Sequence, residues 1–367
     1  LEFLYDQNES AKSNHHLHRQ RIPHAQMDTL IVLTDSGLYC PQGDFYIDPW
    51  NGVSRAVVTH AHADHLAWGC KHYLVSQAGE HVFRARLYNA SLQTLAYGET
   101  VTLNGVQISL HPAGHILGSA QVRIEYNGEV WVITGDYKTE PDATCAPFEL
   151  VRCHTFVTES TFGLPIYRWQ PQRVVFDEID QWWRSNQRDG KASILYGYAL
   201  GKAQRLSAGV DPTIGAIYTH GAVERINASY RASGVNMPKT EYVSRAAESK
   251  PDWSQALIIA PPSARGTSWL RRFGEHSTAF ASGWMAIRGA RRRRAVDRGF
   301  VLSDHVDWDN LLRVIDETGA GRVWVTHGYT AVMVRWLQEH GIDAHIVPTR
   351  YEGERDDSAD NAVESDD

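Results

Sequence analysis

The sequence predicts an α/β protein in which two sheets pack between helices as an α/β/β/α sandwich, with a smaller parallel-sheet domain inserted. Three observations lead there. Short apolar runs separated by turn residues occupy the first half, at residues 30–33, 45–48 and 56–59. Beyond Pro165 the texture changes to alternating strand-like and helix-like segments, the pattern of a parallel sheet. From Gly299 the first pattern returns, so the middle part reads as an insertion that splits the sandwich. The expected division is 1–26, 27–165 (sandwich, first part), 166–298 (insert), 299–350 (sandwich, completion) and 351–367.

Taken in order, residues 1–26 are polar, His-rich and unpatterned, and are expected to be a disordered leader or artificial extension ahead of a natural start at Met27. After the three opening strands, residues 87–95 read as a short helix. Residues 108–110 are a strand, and 121–126 with 130–134 form a hairpin about Asn127-Gly128, a turn pair that favours left-handed backbone. A strand at 155–158 ends the first part. In the insert a helix is expected at 174–183 and a strand at 193–198, then a turn at Gly201 that opens a helix through Lys202, Gln204 and Arg205. Further strands follow at 214–219, 256–260 and 277–284, with a helix carrying Trp269 and Leu270 between the last two. The completion holds a strand, Asp304-His305, an amphipathic helix at 308–318, a strand at 323–326, His327-Gly328 and a final helix. The acidic tail is expected to be disordered.

The 367 residues are 43% hydrophobic and 22% charged, ample for two cores. No apolar run approaches the length of a membrane span, and no charged-then-apolar signal pattern opens the chain. Cys40, Cys70, Cys145 and Cys153 form no C-x-x-C pair, which suggests neither a disulfide framework nor a cysteine zinc site and suits a reduced, cytoplasmic setting. The net charge of −7 is misleading as a guide to partners, because residues 352–367 carry eight acidic residues against one Arg. Residues 264–300 hold nine Arg against Glu275 and Asp297, and local field decides whether a phosphate backbone is attracted.

The chemistry centres on the stretch from Val57 to His65, where a buried strand end runs into His60, His62, Asp64 and His65. Three imidazoles and a carboxylate this close are costly to bury without a cation, and with one they are ligands for a borderline divalent metal. A His-rich surface loop is the bland alternative, and the strand ahead of the cluster argues against it. His115, Asp136 and His327 each end a hydrophobic strand beside a glycine. Together the seven donors suit a two-metal site: His60, His62 and His115 on one ion, Asp64, His65 and His327 on the other, and Asp136 on both. Zinc is the expected metal, with manganese as the alternative. Two such ions less the charges of Asp64 and Asp136 leave a centre suited to an anionic phosphodiester. Asp48 is either a turn-capping residue or an acceptor that orients a ligand His.

These residues resemble the metallo-β-lactamase fold, and within it the β-CASP nucleases, over nearly everything from Asp28 to Pro348. Tyr46-Ile47-Asp48-Pro49, His60 to His65, Ala113-Gly114-His115 and Thr134-Gly135-Asp136 resemble the first four motifs of that fold. Glu159-Ser160-Thr161, Ser303-Asp304-His305 and Val325-Thr326-His327-Gly328 resemble those of the β-CASP part, and residues 199–204 are similar to a helix start in its insert. The resemblance is greatest to the bacterial ligase-associated DNA exonucleases. It implies a DNA exonuclease of DNA repair leaving 5′-phosphate products, with an ATP-dependent DNA ligase and a helicase as partners. DNA-cutting members of the Artemis group tend to carry an apolar residue in the last motif and RNA-cutting members a His, so His327 keeps an RNA-processing nuclease open as the alternative. A small-molecule hydrolase of the same fold would need neither Glu159, His305 nor the insert, and a silent binding subunit would be expected to have lost ligands.

In the mechanism this implies, Asp64 serves the metal that activates water, and His305, paired with Glu159, protonates the leaving oxygen. Candidates for holding the nucleic acid are Lys138, Lys202 at a helix start, and the basic run of Arg288, Arg291, Arg292, Arg293 and Arg294, with Trp284 and Trp308 available for base stacking.

Overall fold

A computed structural model describes residues 29–287 and 296–350. The expected leader, the acidic tail and the arginines at 288 and 291–294 lie outside the described residues.

Short runs with buried ends build the first sheet. Val32–Thr34, Gly37–Cys40, Phe45–Ile47, Arg55–Val57, His72–Ser76 and Ser91–Leu95 lie side by side in chain order. The first two joins are antiparallel and the rest parallel. The second sheet runs Asp343–Ile346, Arg322–Gly328, Thr155–Ser160, Glu129–Ile133, Ala120–Tyr126, Val106–Pro112, Thr100–Leu103. Its first four strands are parallel and the others form an antiparallel meander.

Alternation along the strands decides what each face meets. Ile47, Val57 and Leu74 of the first sheet close on Ile108, Val122, Trp131 and Ile133 of the second in one core. The opposite face of the first sheet, with Ala56, Tyr73 and Val75, packs on Val82 and Phe83 of the helix Glu80–Arg86. The opposite face of the second, with Val132, Phe156 and Val325, packs on the helices Trp308–Thr318 and Thr330–Glu339. The layering is therefore helix, sheet, sheet, helix.

The third sheet is parallel throughout, in the order Thr240–Tyr242, Ile217–Thr219, Leu257–Ala260, Ala192–Tyr196, His276–Ala281, Arg298–Phe300. Its central strands Ala192–Tyr196 and Leu257–Ala260 are buried at every position, because helices and turns cover both faces. The helices Gln172–Arg188 and Lys202–Gly209 cover one of them.

Three sequence expectations are corrected. The helix expected at 87–95 is a strand over Ser91–Leu95, paired in parallel with His72–Ser76; the helix lies earlier, at Glu80–Arg86. Hydrogen bonding to an open sheet edge overrides the local pattern there. Arg298–Phe300 joins the third sheet beside His276–Ala281, so the last strand of the parallel sheet crosses the expected boundary at 298/299. The segment carrying Trp269 and Leu270 is a 3-10 turn, Ser268–Phe273, and no α-helix.

Candidate metal centre

Each candidate ligand sits at or just past the C-terminal end of a strand, along one rim of the two facing sheets. Arg55–Val57 leads into His60, Val106–Pro112 into His115 and Glu129–Ile133 into Asp136, while His327 is the penultimate residue of the strand Arg322–Gly328. The fold brings all seven together. Donor atoms of His60, His62, His115 and Asp136 lie within 4.8 Å of one another, as do those of Asp64, His65 and His327. Asp136 Oδ2 is 3.5 Å from both His60 Nε2 and His65 Nε2, between the two groups.

The hydrogen bonds set each imidazole's tautomer. Thr59 Oγ1 gives its proton to Asp48 Oδ2, so His60 Nδ1 is the donor in their 3.1 Å contact; His115 Nδ1 donates to the Asp304 carbonyl at 2.8 Å and His62 Nε2 to the Leu200 carbonyl at 3.2 Å. Their other nitrogens are then lone pairs, and these converge: His62 Nδ1 is 3.2 Å from His60 Nε2 and 3.1 Å from His115 Nε2. Three lone pairs facing one another repel unless a cation lies among them. In the second group His65 Nδ1 donates to Asp48 Oδ2 at 2.7 Å, so Nε2 is the nitrogen turned toward the site. His65 Nε2 and His327 Nδ1 are buried and make no hydrogen bond. A cavity of about 40 Å³ lies beside Asp64, His65 and His327, room enough for an ion with water. This donor set fits a pair of divalent ions.

The electrostatics favour neutral rings at His60, His115 and His327 and set His65 apart. Burial pushes the pKa values of His60, His115 and His327 down, with neighbouring histidines acting the same way, and this favours the neutral form that ligates. Burial works against charge on His65 too, but Asp136, Asp64 and Asp48 outweigh it and raise its pKa well above the usual range. For Asp136 burial favours the neutral acid, and His65, His305 and His60 reverse that and keep it ionised.

Asp48 orients a ligand here: its two oxygens accept from Thr59 N (2.8 Å), Thr59 Oγ1 (2.6 Å) and His65. Asp48 and His327 have φ of 43° and 52°, left-handed backbone that costs about 1–3 kcal/mol outside glycine. Gly135 at φ 57° is required as well, since a Cβ there would lie 2.4 Å from Thr59 Oγ1. Thr59 is thus a hub that the sequence reading passed over. Its only signal was its place before the His cluster.

Beside the first group, His305 Nδ1 contacts both oxygens of Glu159, at 2.9 and 3.1 Å, and Glu159 Oε1 also accepts from Tyr137 N at 2.8 Å. Both side chains are buried, and the His305 ring centroid is 4.8 Å from that of His115. The pairing of Glu159 with His305 across 146 positions is a feature of the fold.

The expected phosphate contacts fare differently. Lys138 is buried with its Nζ 2.7 Å from Asp142, and Lys202 is buried with its Nζ 2.9 Å from Asp304. Each ammonium is sealed in an ion pair, where a phosphate does not reach it. Trp308 is buried against Trp336, which removes it as a stacking surface, whereas Trp284 is half-buried against Phe162 and Tyr167. No helix among the described residues is long and apolar enough to cross a membrane.

No protein-family model matches the chain. It is 31% identical over 314 residues to a protein of Opitutus terrae named "Probable DNA ligase", an alignment covering 85% of this chain and 30% of that one. It is 32% identical over 117 residues to "Endoribonuclease YSH1" of Saccharomyces cerevisiae and 29% identical over 117 residues to that of Eremothecium gossypii, each covering 31% of this chain and 15% of the relative. A crystal structure of a protein of unknown function from Enterococcus faecalis shares the fold at a TM-score of 0.56 and 9% identity, covering 81% of this chain and 79% of that one. The chain thus spans less than a third of each curated relative, and its similarity runs to proteins named for joining DNA and for cutting RNA.

Proposed function

We propose that the protein is a two-metal phosphodiesterase acting on nucleic acid, a β-CASP nuclease built as a metallo-β-lactamase αββα sandwich with a parallel-sheet insert. The observation that carries this is the inward convergence of ring nitrogens from His60, His62, His115 and His65 around Asp136, with every far nitrogen hydrogen-bonded outward. His60, His62, His115 and Asp136 would hold one ion, and Asp64, His65, His327 and Asp136 the other. When bound, a pair of divalent ions, zinc or manganese, supplies Lewis acidity to a phosphodiester and to water. Asp48 and Thr59 fix the plane of His65. Glu159 holds a proton on His305 Nδ1 and steadies positive charge on the ring, which leaves Nε2 to protonate the leaving oxygen.

Among nucleic acids, DNA is favoured by the alignment of most of this chain with part of a protein named a probable DNA ligase. The finer reading we propose is a repair exonuclease that leaves 5′-phosphates and acts beside a DNA ligase. His327 and the similarity to endoribonucleases favour RNA as the second reading. The test offers labelled single-stranded DNA and RNA of one sequence, blocked at either end, with each metal. Cleavage of DNA with a free end is expected. Asp64→Ala should abolish it and His305→Ala should slow it by about 10²–10⁴-fold. Wild-type rates in Asp64→Ala would refute the metal site, and in His305→Ala the acid.

A further inference from the structure

Between the insert and the sandwich lie five charged side chains, Lys138, Asp142, Lys202, Arg205 and Asp304, each between 1% and 5% exposed. Burying charge costs several kcal/mol per ion even after relaxation, and apolar packing of equal volume would stabilise the fold as well or better. Stability alone therefore does not account for the cluster. Its hydrogen bonds point to a different use.

Arg205 Nη1 donates to Asp304 Oδ1 at 2.9 Å and to the Ser303 carbonyl, while Nε and Nη2 donate to Gln172 Oε1 at 3.2 and 3.0 Å. Lys202 Nζ lies 2.9 Å from Asp304 Oδ2 and donates to the Leu302 carbonyl at 2.7 Å. Both cations belong to the first turn of the helix Lys202–Gly209, and between them they grip residues 302–304. The main-chain carbonyl of Asp304 is the group that accepts from His115 Nδ1, and the next residue is His305. Gly201, at φ 89°, lets the helix start come this close, since a Cβ there would lie 2.2 Å from Ile116 Cγ2. One peptide thus links the insert to a candidate ligand and to the candidate acid.

We infer that Lys202 and Arg205 are positioning residues: by clamping residues 302–304 they hold the Asp304 carbonyl against His115 Nδ1, fixing the tautomer and ring plane of one ligand of the first ion. The inference rests on the proposed metal site. It makes the insert part of that site's construction, in addition to any part in holding substrate. Arg205 cannot be exchanged for Lys at this place, because a point-like ammonium does not reach Gln172, Ser303 and Asp304 at once.

The test uses the full chain with ¹⁵N-labelled histidine, first free of metal. Wild type should show His115, assigned by its loss in His115→Gln, as a single Nδ1–H tautomer. Arg205→Lys and Lys202→Met should show an averaged tautomer for His115 while His65, held by Asp48, stays as it was. On zinc titration against a competing chelator, one of the two ions should bind about 10–100-fold more weakly in the variants, and the other as in wild type. A folded variant that keeps both the tautomer and both affinities overturns the inference. Should Arg205→Lys fail to fold, Lys202→Met decides, because it leaves the Arg205–Asp304 pair in place. Loss of folding in both also overturns it, since the clamp would then serve the fold. Wild type that binds no ion refutes the metal site separately, and the tautomer still reports on the clamp.

Discussion

Glu159→Gln isolates the proton-donor role of His305. The substitution keeps side-chain volume and removes one charge. Gln can still accept from Tyr137 N, now 2.8 Å from Glu159 Oε1, so the strand end should hold. What is lost is the charge-assisted bond to His305 Nδ1, in which both carboxylate oxygens lie within 3.1 Å of one nitrogen. A hydrogen bond to a charged group contributes about 1.5–3 kcal/mol, which at about 1.4 kcal/mol per decade corresponds to a fall in kcat of roughly 10–150-fold. Both groups are buried, which places the expectation in the upper part of that range. The assay compares two leaving groups at neutral pH. A nucleotide alkoxide needs a proton, whereas the phenolate of bis(p-nitrophenyl) phosphate departs without one. The oligonucleotide rate should fall and the aryl ester rate should hold. Equal losses on both substrates would show that Glu159 supports the site's structure and has no part in proton transfer.

Treatment with a chelator should abolish cleavage and lower Tm, and either zinc or manganese should restore both, because ions bound only by the folded state stabilise it; an unchanged Tm would count against the lone-pair reading of the centre. Gly135→Ala should destabilise by about 1–3 kcal/mol from left-handed backbone alone and weaken the ion held by His65, since its Cβ would lie 2.4 Å from Thr59 Oγ1; calorimetry with metal titration would read both. Asp142 tests acid stability. Burial alone would raise its pKa, but Lys138 and Arg205 outweigh that and hold it low. Its contribution is therefore present above the unfolded carboxylate pKa of about 3.9 and is lost as pH falls through the lower folded value. Asp142→Asn should lower Tm near neutrality, where breaking a buried pair costs about 3–5 kcal/mol, and the two Tm curves should begin to converge below about pH 4 and meet only below the folded pKa. Parallel curves would exclude Asp142 as an acid-sensitive group.

Much of the centre was legible from residue order because its parts are local. His60, His62, Asp64 and His65 lie within six positions, so a strand end and one turn suffice to gather them. His115, Asp136 and His327 stood out singly, each after an apolar run and beside a glycine. The layered architecture followed from strand-length runs and from the βα alternation of the insert. The helix expected at 87–95 went astray because a sheet edge competes for that backbone, and nothing in the local pattern reports the edge.

By itself, then, the chain's order marked which residues could ligate and many of the segments that are strands, since periodicity and ligand chemistry are properties of neighbours. Only the tertiary structure decided where the lone pairs point. The Thr59, Asp48, Leu200 and Asp304 groups that fix the tautomers act across contacts of up to 189 positions. Lys202 reads as a cation suited to phosphate, yet it and Arg205 meet carbonyls and carboxylates about a hundred positions away and are sealed. A charge's meaning depends on whether water or a partner faces it, and that is settled when separate segments pack.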